Sequence, residues 1–151
     1  MITKEQMEAI VGAKFSAIED NTEAGQTTTE CNYNPPDGDL APRVSLTIER
    51  ADDIVDAKAG FAGSSAGASL GAQVAGPGAA ALPGMRSGPV EGVGDEAQIG
   101  LNLLTVRQGT TLILIQASLI NDPFKSVTDT VALASQLEKA KQIARAVIAK
   151  L

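Results

Sequence analysis

The sequence predicts an α+β fold: an antiparallel β-sheet with an N-terminal, a middle and a long C-terminal helix packed on it. Three observations predict it. At 151 residues the chain suits a single domain, residues 1–151, large enough to bury roughly two thirds of the surface its unfolded form exposes. Helical and strand-like periodicities follow the order helix, strands, helix, loop, strands, helix, which is not the alternation of βαβ units. Turn-rich stretches also separate neighbouring strand-like runs, as hairpins require.

The opening "TKEQMEAIVG" reads as a short helix, with Thr3 as cap, Gln6 at the capping-box position and Gly12 at the left-handed C-terminal position. Met7, Ile10 and Val11 give it one apolar face. "AKFSAIED" and "TTTECNYN" are β-prone and flank the turn-rich "NTEAGQ", so they predict a hairpin over residues 14–34. Thr27, Thr29, Cys31 and Tyr33 then share one face. "NPPDGDLAP" is a loop, because paired prolines and Asp37-Gly38 suit neither a helix interior nor a central strand. In "RVSLTIER" Val44, Leu46 and Ile48 alternate strictly, which marks a strand with one buried face. "ADDIVDAKAGFAG" changes to helical spacing at Ile54, Val55, Lys58 and Phe61, with Asp52 and Asp53 near the helix N-terminus.

Residues 60–94 are rich in glycine and alanine and nearly uncharged. Glycine costs roughly 1 kcal/mol relative to alanine inside a helix, so this stretch predicts a loose helix passing into a flexible segment. Beyond it "DEAQIGLN" places Ala97, Ile99 and Leu101 on one strand face, and "LLTVRQGTTLILIQASLI" predicts a hairpin turning at Gln108-Gly109-Thr110. Leu112 to Ile115 are apolar on both faces, which suits a central strand covered on both sides. The last element, "DPFKSVTDTVALASQLEKAKQIARAVIAKL", carries Val127, Val131, Leu137, Ala140, Ile143, Ala144 and Val147 on one helical face, with Pro123 in its first turn.

Composition excludes several function classes. Histidine is absent, which removes Ser-His and Cys-His nucleophile activation and imidazole-bound metal. Cys31 is the single cysteine, so no intrachain disulfide forms, and as an alternating strand residue it reads as a small core residue. Aromatics are 3% of the chain and the net charge is −6, neither of which suits a nucleic-acid surface. No apolar run approaches the ~18 to 20 residues of a membrane-spanning helix. Residues 1–12 lack the pattern of an export signal, so the expectation is a cytoplasmic chain or a mature form whose signal has been removed.

Motif by motif, little chemistry survives. Gly92-x-Gly94-x-x-Ala97 matches a relaxed dinucleotide fingerprint, but that reading needs a strand before the glycines and a helix after them. Here a strand follows, and Asp95 and Glu96 would oppose an anionic ligand, so the glycines are expected to form a tight turn. "GFAGSSAG" lacks the Gly-Lys-Ser/Thr ending of a phosphate loop. The pairs Asp37/Asp39, Asp52/Asp53 and Asp95/Glu96 read as solvated loop and helix-cap carboxylates rather than cation sites. No cofactor, metal or catalytic residue is therefore expected.

The N-terminal helix ending at Gly12, the strand with "CNY", the turn "GVGDEA", the hairpin "RQGTTLIL" and the C-terminal helix together resemble uncharacterised exported or lipid-anchored domains of bacteria. That resemblance implies a fold similar to the PsbP-like α/β/α sandwich and a place in the cell envelope. The chain departs from the pattern in lacking a second cysteine and a lipid-attachment cysteine. The leading expectation is a non-enzymatic accessory domain that binds a protein or a small apolar ligand, as a monomer or weak homo-oligomer. Its binding residues are expected among Phe61, Ser64, Ser65 and Leu70 of the Gly/Ala-rich segment, with Tyr33, Asp95 and Glu96. The alternatives are a small cytoplasmic enzyme using the Asp95/Glu96 pair, or a self-associating structural protein.

Overall fold

The structure, a computed structural model, describes residues 2–22, 27–36, 42–74, 87–100, 102–120 and 128–151; the side chains of residues 17 and 65–74 are outside that description. Helix α1 (Lys4–Val11) is closed at both ends as its sequence predicts. Thr3 and Gln6 form the reciprocal capping box, and Gly12 takes φ 75° at the C-terminus. Strands β1 (Ala17–Asp20), β2 (Thr28–Asn34) and β3 (Arg43–Arg50) come next, followed by helix α2 (Ile54–Val74). Then come β4 (Gly88–Pro89), β5 (Glu96–Gly100), β6 (Leu103–Gln108), β7 (Thr111–Ser118) and helix α3 (Thr130–Ile148).

The described strands form one seven-stranded sheet in the order β1-β2-β3-β7-β6-β5-β4. Every neighbouring pair is antiparallel. Two meanders, β1 to β3 and β4 to β7, join where β3 pairs with β7 over Arg43↔Ser118 to Arg50↔Thr111. Strand β7 is thus the middle of the sheet, where its apolar residues on both faces are needed.

Register decides what each face carries, because side chains alternate across a strand. Tyr33 lies opposite Val44, Val44 opposite Ala117, Leu46 opposite Ile115, and Ile115 opposite Leu104. This face packs into one core with Met7 and Val11 of α1 and Ala140, Ile143, Ala144 and Val147 of α3. The opposite face carries Leu112 and Arg107, and α2 lies over β5, β6 and β7 on that side. Ala57 is fully buried there, and Gly60 sits so close that an added Cβ would stand 2.8 Å from Leu112 Cδ1. Helices therefore cover both faces of the sheet.

Three regions add detail to the sequence reading. Asp129 caps helix α3, its Oδ1 accepting from the N–H groups of Val131 and Ala132 at 3.0 Å each. Pro123 and Val127 lie outside the described residues. Of the Gly/Ala-rich stretch, residues 60–74 continue α2, while residues 87–94 supply edge strand β4 and the turn into β5; residues 75–86 lie outside the description. Strand β4, only two residues long, has no periodicity by which a sequence could announce it.

Candidate functional site

The glycine turn before β5 is a structural joint. Gly92 and Gly94 take φ 80° and 62°, backbone that favours glycine, and the buried Val93 between them enters the core. Gly94 presses on β6 so closely that a Cβ would stand 2.7 Å from the Arg107 carbonyl oxygen. The Gly92 carbonyl accepts from Arg145 Nε at 3.2 Å and Nη2 at 2.9 Å, which ties the turn to α3. A strand leaves this turn, so no helix N-terminus faces the glycines for a pyrophosphate.

Asp95 and Glu96 converge on one cation. Arg107, across from Glu96 in the β5–β6 ladder, has a side chain only 7% exposed; its Nε donates to Glu96 Oε2 at 2.7 Å and its Nη1 to Asp95 Oδ2 at 3.2 Å. The same Nη1 donates to the Gly109 carbonyl at 3.0 Å. Asp95 also accepts from the Gly109 N–H at 2.7 Å and from Gln108 Nε2 at 3.2 Å, so it closes the β6–β7 turn. The permanently charged guanidinium, shared by both carboxylates and the Gly109 carbonyl, makes this cluster a fastening between two hairpins.

Tyr33 is 1% exposed, its hydroxyl donating to the Ile2 carbonyl at 2.7 Å and its ring meeting Phe15 edge-on at 5.8 Å. Burial pushes its hydroxyl up to about 12. The Cys31 thiol, also buried, is raised by burial first and by the nearby Asp20 second, which opposes the thiolate a nucleophile needs. Both residues belong to the core of the sheet. Phe61 and Glu96, in contrast, meet at one groove of about 420 Å³ between α2 and the β4–β5 edge, with Ser87, Pro89, Val90 and Gln98. Ser64 faces its own helix, Oγ donating to the Gly60 carbonyl at 3.0 Å. The side chains of Ser65 and Leu70 lie outside the described residues. The predicted site residues thus fall into three places rather than one.

One further acidic expectation resolves locally. Asp53 caps α2, its Oδ1 accepting from the N–H groups of Val55 and Asp56 at 2.7 and 2.9 Å. Asp37 and Asp39 lie outside the description. Among the described residues no three acidic or sulfur ligands cluster as a metal site would need. No helix among them is long and apolar enough to cross a membrane.

An apolar cleft was not anticipated from the sequence. A cleft of about 230 Å³ opens between the first half of α3 and strands β5, β6 and β7. Leu133 and Leu137 wall it from the helix, Ile99 and Leu104 from the sheet, and Ala117 and Ala140 lie against it. Its polar contributors, Asn102, Thr130 and Gln136, are uncharged. Gln136 is itself 7% exposed, its Oε1 accepting from the Leu119 N–H at 3.2 Å. Small residues create the space: Ala117 on the central strand and Ala140 on α3 face each other where larger side chains would close it. Asn102, with φ 64°, holds the β5–β6 turn at the rim. No protein family, no curated protein and no solved structure matches the chain.

Proposed function

We propose that the chain is a non-enzymatic binding domain of the bacterial cell envelope that takes a small, uncharged, apolar molecule between α3 and the sheet. The observation that carries this reading is the cleft walled by Leu104, Leu133 and Leu137, which is apolar, concave and, among the described residues, free of charged lining. Its size selects the ligand. A dry cavity of about 150 Å³ accepts benzene, so about 230 Å³ suits a single substituted ring or a short branched chain. The envelope setting is supported by the resemblance of the "CNY" and "GVGDEA" segments to exported domains. Against an enzyme stands Arg107, which holds both carboxylates of the Asp95/Glu96 pair.

Toluene is a suitable probe. Titration should give saturable amide NMR shifts centred on Leu104, Ala117 and Leu137, and a rise in thermal midpoint. Ligand at a hundred times its Kd stabilises by about 2.7 kcal/mol. Ala117→Leu, which fills the cleft floor, should abolish the shifts; Leu137→Gln, which polarises the wall, should weaken them about tenfold and serves if the first variant misfolds. Linear, non-saturating shifts spread over the surface would refute the proposal.

A further inference from the structure

A second cleft, of about 420 Å³, lies at the other end of α3, between its last turn and strands β2 and β3. It is chemically unlike the first. The chain carries 18 acidic residues against 12 basic, yet among the described residues the side chains lining this cleft include Arg50 and Lys150 and no carboxylate. Arg50 continues the alternation of Val44, Leu46 and Ile48, so it stands on the face that α3 covers. Its backbone N–H donates to the Thr27 carbonyl at 3.0 Å, which places its side chain beside the Thr27 and Thr29 hydroxyls. Among the described residues its guanidinium forms no ion pair. Lys150 is held at the mouth, its Nζ donating to Gln6 Oε1 at 2.7 Å. The floor is apolar: Ile48 and Val147 are 7% and 1% exposed, and Leu151 stands half-exposed at the lip.

We propose that this cleft binds a short-chain carboxylate, with the head group on Arg50 and Lys150 and the chain on Ile48, Val147 and Leu151. The guanidinium fork matches a carboxylate in plane and spacing, and the two hydroxyls supply further donors. Cations on one wall and aliphatic side chains on the floor favour an amphiphile over an inorganic anion. At the roughly 30 Å³ a water molecule occupies in the liquid, the volume holds at most roughly 14 non-hydrogen atoms, enough room for the roughly ten of octanoate. This site is separate from the apolar cleft and stands or falls independently of it.

Amide NMR titration of the full chain with sodium octanoate, beside octanol as its neutral twin, tests the assignment. Saturable shifts should centre on Thr29, Ile48, Arg50 and Val147, with octanol at least tenfold weaker. Arg50→Gln should lose about tenfold in octanoate affinity while keeping the amide spectrum of the folded chain, and Arg50→Lys should retain more than Arg50→Gln. Added salt should weaken octanoate and leave octanol unchanged. Equal affinity for the two probes, unchanged affinity in Arg50→Gln, or shifts confined to Leu104 and Leu137 would overturn the proposal.

Discussion

The Arg107 cluster separates a structural from a catalytic role for Asp95 and Glu96, through an asymmetry that can be measured. In Arg107→Met the stem still packs, and both carboxylates, 42% and 45% exposed, turn to water. The loss is then that of partly solvated charge-assisted hydrogen bonds, about 1 to 2 kcal/mol. In the double variant Asp95→Asn with Glu96→Gln the cation stays behind, 7% exposed, with amides and the Gly109 carbonyl for company. Leaving a buried charge without its counter-charge costs about 3 to 5 kcal/mol in general; the exposure of the carboxylate side brings the figure here to about 3. The acid pair should therefore cost more to neutralise than the arginine costs to remove. Placed in the Arg107→Met background, the same double change should cost only about 1 kcal/mol, a coupling near 2. Urea unfolding of the four proteins measures the cycle. Additivity within about 0.5 kcal/mol would refute the fastening, and would return the carboxylates to candidacy as functional groups.

Gly94→Ala should cost about 2 to 4 kcal/mol by the same assay, since it adds a Cβ at φ 62° and drives it against the Arg107 carbonyl; Gly109→Ala, at φ 58° with open space around it, should cost only about 1. Tyr33 is the only tyrosine and there is no tryptophan, so tyrosinate absorbance reports it alone. Its hydroxyl is held up to about 12 in the fold, whereas the unfolded chain loses that proton near pH 10. Stability should be undiminished by this group below pH 10 and fall by up to about 3 kcal/mol as pH rises from 10 towards 12; Tyr33→Phe should flatten that decline while costing about 1 kcal/mol for the lost bond to Ile2. The Cys31 thiol should react with aromatic disulfide reagents only at the rate of unfolding, and a fast stoichiometric reaction in the native protein would contradict its burial.

Local chemistry was legible wherever a rule acts over a few residues. The capping box of Thr3 and Gln6, the left-handed Gly12 and the alternation of Val44, Leu46 and Ile48 each stand in the structure as the sequence implies. So does the hairpin at Gln108-Gly109-Thr110, and the two-faced apolar run of β7 correctly marks the middle of the sheet. The site was less legible, because it depends on pairs distant in sequence. Nothing near Arg107 announces that it will meet residues 95 and 96, although a cation inside an apolar strand was a signal that could have been used. Tyr33 and Phe61 both read as aromatic binding residues, and only register shows that Tyr33 faces α1 and the core while Phe61 reaches the β4–β5 groove.

The same long-range geometry explains why both proposed sites lie along α3. A straight helix cannot follow a twisted sheet along its whole length. Ile143 and Ala144, both fully buried, lie in the core shared with the central strands. A cleft opens towards either end of the helix, and the residues there decide its chemistry. At the first half of α3 the facing residues are Ala117 and Ala140 between leucines, and the gap is apolar. At its last turn they are Arg50, Thr29 and Lys150 above Ile48, and the gap is cationic at the mouth and apolar below. Helix α2 shows the contrast on the other face, where Gly60 permits close approach to Leu112. One helix laid on one sheet thus provides two clefts of different chemistry.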